Sequence, residues 1–152
     1  MKKLLFLILL PLSCFSQFKK ELPSYITSYL SGALDGTSET IKWHYYEFEE
    51  SFPNANPMFW NPKYSSQNKY KDGITSHGPK YFGSTSFLAW TTDGYHLTRT
   101  SRNFLLVSTI LLHPKEKKRF KYYVKDVVIH TLIYQIGFTT TYGLIFKSRL
   151  IK

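Results

Sequence analysis

Apolar positions along the chain fall into three blocks separated by polar, turn-forming stretches. In the first, Leu22, Ile26, Tyr29, Ala33, Ile41, Tyr45, Phe48 and Phe52 recur at steps of three, four or eight. That spacing predicts a helix over residues 24–52 buried along one side, with Ser24 after Pro23 as its N-cap. Within it Ser28, Gly32 and Gly36 lie four apart, a row of small residues that lets another backbone approach closely. The alternative is that the two glycines break the helix in two, since each costs about 1 kcal/mol in a helix interior unless packing offsets it.

Residues 53–84 carry no such period. Asn-Pro, Gly-Pro and Asp-Gly steps alternate with Met58, Phe59, Trp60, Tyr64, Tyr70, Tyr81 and Phe82. The prolines predict an irregular segment, and the aromatics predict that it is ordered, lying as a cover over the helices. Apolar periodicity resumes over 86–113, ending in the run Phe104–Leu112, and again over 117–146, where Val127–Phe146 contains no formal charge. Twenty residues is the length of a membrane crossing, although His130, Gln135 and the threonines leave its hydropathy at the border of a buried soluble helix. The expected fold class is therefore mainly α: one long N-terminal helix, an aromatic irregular loop and a C-terminal helical hairpin, in a small membrane-associated protein.

The start of the chain adds a compartment. Lys2-Lys3, an apolar run over 4–12 and Ser13-Cys14-Phe15-Ser16 read as a signal peptide of residues 1–16, with lipidation at Cys14 or an uncleaved anchor as alternatives. The single domain would then occupy 17–152, exported to the cell envelope. Twenty Lys and Arg stand against ten Asp and Glu, a net charge of +10, or +8 without Lys2 and Lys3. An exported basic protein meets anionic membrane lipid, cell-wall polymer or a protein partner rather than nucleic acid. Six basic residues between Lys115 and Lys125 mark the connection between the last two apolar blocks as a cytoplasmic loop. With the N-terminus outside after cleavage, the chain would cross inward over 86–113 and back over Val127–Phe146. Arg99 and Arg102 must then face protein or the outer interface. Helices lying flat on an anionic leaflet are the alternative.

Chemistry is sparsely marked. The only cysteine, Cys14, lies in the leader, so disulfides, a cysteine-based zinc site and a thiol nucleophile are excluded from the exported part. No Walker, Rossmann, HExxH or GxSxG pattern occurs. What stands out is one acid and one histidine within a turn or two of each other in each block. Asp35 and Glu39 precede His44 and Glu47; Asp93, His96, Thr100 and Asn103 form a helical stripe; Asp126 and His130 are four apart. Imidazoles with carboxylates suit a divalent metal such as zinc, manganese or iron. Asp35, Glu39, His44, Asp93 and His96 are thus metal-ligand or acid-base candidates, and a hydrogen-bonded structural network is the alternative. His77 and His113 read as surface residues, and Asp126 as a partner of Lys121 or Lys125. In the aromatic segment Trp60, Tyr64, Lys69 and Tyr70 are candidates for gripping a sugar or lipid head group.

The strings Phe59-Trp60-Asn61-Pro62, Asn68-Lys69-Tyr70-Lys71-Asp72-Gly73, Gly78-Pro79-Lys80-Tyr81-Phe82-Gly83-Ser84 and Thr92-Asp93-Gly94-Tyr95-His96-Leu97 resemble a group of small exported or membrane proteins of Gram-negative bacteria to which no activity is attached. The resemblance covers about residues 32–100. It implies an envelope location and a small helical membrane protein, and it carries over no catalytic residue. Two functional expectations follow: a non-enzymatic envelope module that binds a partner or lipid, and, as its rival, a metal-dependent hydrolase acting on envelope lipid or glycan.

Overall fold

The structure, a computed structural model, describes the backbone of residues 2–115 and 119–146 and the side chains from Phe18 onward. Within that range the chain is mainly helical. Six α-helices are described, α1 Lys2–Trp43, α2 Tyr45–Ser51, α3 Pro57–Trp60, α4 Pro62–Ser65, α5 Gly94–Leu112 and α6 Phe120–Phe138, with a π-helix over Thr139–Phe146 continuing α6. No strand occurs among the described residues. The leader thus continues into α1 as one helical backbone; its side chains, Lys117 and Lys118 of the basic loop, and the basic residues beyond Phe146 lie outside the described residues.

Three helices form the body, and α1 packs against both α5 and α6. Their relative directions follow from pairs of contacts. Ser28 meets His130 and Tyr142 meets His44, so α1 and α6 run parallel. Thr27 meets Thr109, whereas Arg102, seven residues earlier on α5, meets the later residue Asp35; α5 is therefore antiparallel to α1. The part of α1 that precedes Ser28 and the lysine loop before α6 therefore lie toward the same end of the bundle.

The glycines do not break α1. A Cβ on Gly32 would lie 1.9 Å from the carbonyl oxygen of Tyr134, and one on Gly137 would lie 2.1 Å from that of Tyr29. Both glycines are needed because the α1 and α6 backbones touch, as the small-residue row predicts. The expected helix over 24–52 is instead interrupted at His44, whose φ of −138° and ψ of 46° leave helical space and separate α1 from α2.

Residues 53–84 are more regular than their prolines suggest. Asn56 and Asn61 each accept a hydrogen bond from the backbone two residues on, and Pro57 and Pro62 occupy the first helical positions, so each Asn-Pro step starts a helical turn. A single antiparallel bridge between Tyr70 and Pro79 and three 3₁₀ turns, Lys71–Gly73, Thr75–His77 and Ala89–Thr91, complete the cover. The second long helix begins at Gly94 rather than at 86. Asp93, extended at φ −149°, accepts from the His96 amide and is its N-cap.

Among the described residues no helix is long and apolar enough to cross a membrane. The uncharged Val127–Phe146 stretch is divided between α6 and the π-helix, and the apolar third of α5 follows a half carrying Arg99 and Arg102.

Candidate functional site

Burial is inverted relative to an ordinary globular core. Among the described residues the buried hydrophobic side chains are Ile41, Phe48, Ala89 and Phe146, whereas eleven buried residues are polar, with Ser24, Ser28, Ser31, Ser38 and Thr40 all on α1. Large apolar side chains lie outside: Phe104 is 72% exposed, Ile110 74%, Val127 66% and Leu132 59%. Several of the buried polar residues donate to their own helix carbonyls, as Ser38, Thr40 and Thr98 do, and others join partly buried polar side chains in three centres.

The middle centre joins all three long helices. Asp35 on α1 accepts one hydrogen bond from the Arg102 guanidinium on α5 and another, at 2.6 Å, from the Tyr134 hydroxyl on α6. Ser31 donates to the Arg102 carbonyl at 3.2 Å. Arg102 therefore faces protein.

At the base, near the lysine loop, four side chains form a chain. Ser28 Oγ lies 2.7 Å from His130 Nδ1, His130 Nε2 lies 3.4 Å from His113 Nδ1, and His113 Nε2 lies 3.2 Å from Asp126 Oδ2. One proton arrangement satisfies each contact with both rings neutral: the Ser28 hydroxyl donates to His130, His130 to His113, and His113 to the Asp126 carboxylate. His113 is half-buried and tied to His130 and Asp126 rather than free at the surface, and Asp126 pairs with it. The signal for this centre was the Asp126–His130 spacing; its partners come from two other helical segments, which spacing does not reveal.

At the other end, the Asp93 carboxylate holds the His96 Nδ1 at 2.8 Å and lies 3.6 Å from Lys69 Nζ. Asn68 donates to the Thr92 carbonyl at 2.7 Å, and Ser84 donates to the Lys69 carbonyl at 2.8 Å. This centre fastens the aromatic cover to the start of α5.

The five metal-ligand candidates are consequently held in separate settings. Asp35 belongs to the middle centre; Asp93 and His96 lie at the cover; His44 Nε2 meets the Tyr142 hydroxyl at 2.9 Å, with Glu47 3.9 Å from its Nδ1. Glu39 is half-buried on α1. Among the described residues no group of three or more His, Cys, Asp or Glu is arranged to hold a metal ion. Asp93 is also a cap, so the stripe of Asp93, His96, Thr100 and Asn103 is not one helical face: Thr100 and Asn103 are exposed.

Of the loop candidates, Tyr64 is exposed, with Lys63 over its ring, while Trp60, Lys69 and Tyr70 are half-buried. Trp60 stacks on Phe48 with ring centres 5.1 Å apart and fills the space a Cβ at Gly94 would occupy. It helps wall a cavity of about 700 Å³ beneath the cover. Beside it, the Tyr45 hydroxyl is buried without a hydrogen-bond partner; burial first, and then Glu49, hold its pKa above the ordinary phenol value.

Comparison of the chain with protein-family models, with curated proteins and with solved structures found no match.

Proposed function

We propose that the protein is a non-enzymatic module of the bacterial cell-envelope membrane whose helical bundle packs in lipid. The observation that carries this reading is the inverted burial. In water, a bundle with serine and threonine seams and phenylalanine, isoleucine and leucine outside would forgo most of the hydrophobic term that stabilises a soluble core. In lipid the outer residues match their surroundings, and small residues, close backbone approach and interhelical hydrogen bonds are what hold helices together. Arg102 and Asp35, the charged pair within the bundle, face one another as ionisable groups in apolar surroundings must.

Arg119, Lys121 and Lys125 are exposed at one end, with Lys19 and Lys20 of α1, while the other end exposes Glu49 and Glu50 together with Lys42, Lys63, Lys71 and Lys80. In this reading the lysine loop, whose basic residues are clustered at the start of α6, faces the cytoplasm, and the aromatic cover faces away from it. Because no described helix is long and apolar enough to cross on its own, the reading rests on the shared outer surface of α5 and α6 rather than on a single hydrophobic run. The rival, a metal-dependent hydrolase, needs its carboxylates and histidines in one place, and they are held in separate contacts.

Membrane fractionation tests this. Full-length chain expressed in a Gram-negative host is expected to stay in the membrane pellet through high salt and alkaline carbonate. Release by carbonate into the soluble fraction, as a folded helical monomer, would overturn the reading.

A further inference from the structure

We propose that the paired histidines at the base of the bundle, His113 and His130, form an acid-sensitive clasp: it holds α5 and α6 together while the pair carries at most one extra proton and releases them when the pair takes a second. This goes beyond membrane placement and does not depend on it.

The pair stands where three helices meet. His113 directly follows α5, His130 lies on α6, and Ser28, 2% exposed, lies on α1. The nitrogens that face each other, His130 Nε2 and His113 Nδ1, are 3.4 Å apart, with the ring centres 5.4 Å apart. Each ring is also held through its other nitrogen, His130 by Ser28 Oγ at 2.7 Å and His113 by Asp126 Oδ2 at 3.2 Å. Neither ring can turn away without giving up that outer contact.

Counting donors decides what each proton does. With both rings neutral, one hydrogen lies between the facing nitrogens and Asp126 accepts from the other side of His113. One added proton also finds a place. His113 as imidazolium donates to Asp126 and to His130 Nε2, while His130 carries its hydrogen on Nδ1 and the Ser28 hydroxyl turns from donor to acceptor. The Asp126 carboxylate balances the charge. A second proton puts hydrogen on both facing nitrogens, so two donors meet with no acceptor between them and two cations stand side by side. The rings must part.

The surroundings do not relieve that contact. Tyr25 of α1 packs on the His130 ring at 5.2 Å, and its hydroxyl engages Glu21. Thr109 of α5 and Tyr123 and Thr131 of α6, which line the cavity of about 350 Å³ beside the pair, offer no carboxylate. Exposed Lys19, Lys20, Arg119, Lys121 and Lys125 at the same end add positive field. The cavity, also lined by His113, Asp126 and His130, gives water and protons access. In the unfolded chain the imidazoles are apart and take up both protons near the ordinary value of about 6.5. The folded pair takes the second less readily, so stability is kept above that range and lost as pH falls through it.

The test uses full-length chain in mild detergent, with Cys14→Ser and spin labels on Leu111→Cys and Val124→Cys, two exposed positions on α5 and α6. The distance between labels is expected to be short at about pH 7.5, to lengthen reversibly at about pH 5.5, and to do so as the melting temperature of unlabelled protein falls by about 5 °C or more. His113→Gln and His130→Gln keep an amide but remove the second cation, and each is expected to hold the short distance at both pH values. Asp126→Asn removes the balancing carboxylate and is expected to open at higher pH than wild type. An unchanged distance in wild type, opening that persists in either folded glutamine variant, or an Asp126→Asn midpoint that does not rise would each overturn the proposal. Two glutamine variants guard against one that misfolds. Carbonate release in the fractionation experiment would leave this measurement standing, so the two readings fail separately.

Discussion

Arg102 and Asp35 face each other across the seam between α5 and α1, and the second carboxylate oxygen is taken by Tyr134 from α6, so one acid fixes the relative height of all three helices. Each side chain of the pair is less than a fifth exposed. Removing one partner strands the other charge, which is a larger loss than the net worth of the pair. Asp35→Leu and Arg102→Met are each expected to destabilise the bundle by about 2–3 kcal/mol, and the double variant by less than the sum of the two. Thermal unfolding of the four proteins in one detergent completes the cycle. Strict additivity would show that the pair is not coupled.

Gly32 and Gly137 make the second testable seam. Alanine at either position drives a Cβ into a backbone carbonyl of the opposite helix, and backbone cannot rotate away as a flexible side chain can. Each change is expected to cost about 1–3 kcal/mol and to lower the melting temperature. Gly143 is the control. Its nearest neighbour to an added Cβ is the Thr139 methyl at 3.5 Å, an ordinary contact, so Gly143→Ala is expected to be neutral or to stabilise by up to about 1 kcal/mol. Equal losses at all three positions would mean that helix propensity, not helix contact, governs these glycines.

The part of this architecture that local periodicity encodes was legible in the sequence. The Ser28, Gly32 and Gly36 row foretold a close backbone contact, and the apolar blocks foretold three long helical segments. Their boundaries were set by side chains whose partners are backbone amides. Asp93 reads as a helical residue by spacing and acts as a cap, and Asn56 and Asn61 turn prolines from breakers into helix starts. The centres were less legible because they join distant segments. His113 looked like a loop histidine, yet Asp126 and His130 close around it once α5 and α6 form a hairpin. A helix direction is likewise invisible to a pattern read residue by residue, and the parallel packing of α1 and α6 emerges only from the Ser28–His130 and His44–Tyr142 contacts.

Metal content discriminates the polar centres from a ligand set. His44 is engaged by Tyr142 and His96 by Asp93, in two separate contacts. Protein purified without chelator is expected to carry zinc, manganese and iron far below one per chain, and His44→Ala and His96→Ala to change stability alone. Asp93→Ala is expected to cost about 1 kcal/mol or more through its cap, with Asp93→Asn retaining most of it. Stoichiometric metal lost in both histidine variants would restore the hydrolase reading.

The last prediction concerns threading. Parallel packing of α1 and α6 puts Lys19 and Lys20 of α1 beside the start of α6, with Arg119, Lys121 and Lys125 exposed there too. If the bundle is inserted as one body, that end lies on a single side of the membrane, and the cluster of lysine and arginine before α6 favours the cytoplasm. A reporter active only outside the cytoplasm, inserted between Lys115 and Lys121, is therefore expected to be silent. A cysteine placed at Phe18 is expected to resist a membrane-impermeant thiol reagent in intact cells, and one placed at Phe82, which is 87% exposed on the cover, to react. The same arrangement requires that the leader stay attached as the cytoplasmic start of α1, which the mass of the membrane-bound chain reports directly. Cleavage after Ser16 with Phe18 accessible from outside would instead mean that α1 does not insert alongside α6, and that only the α5–α6 hairpin enters lipid.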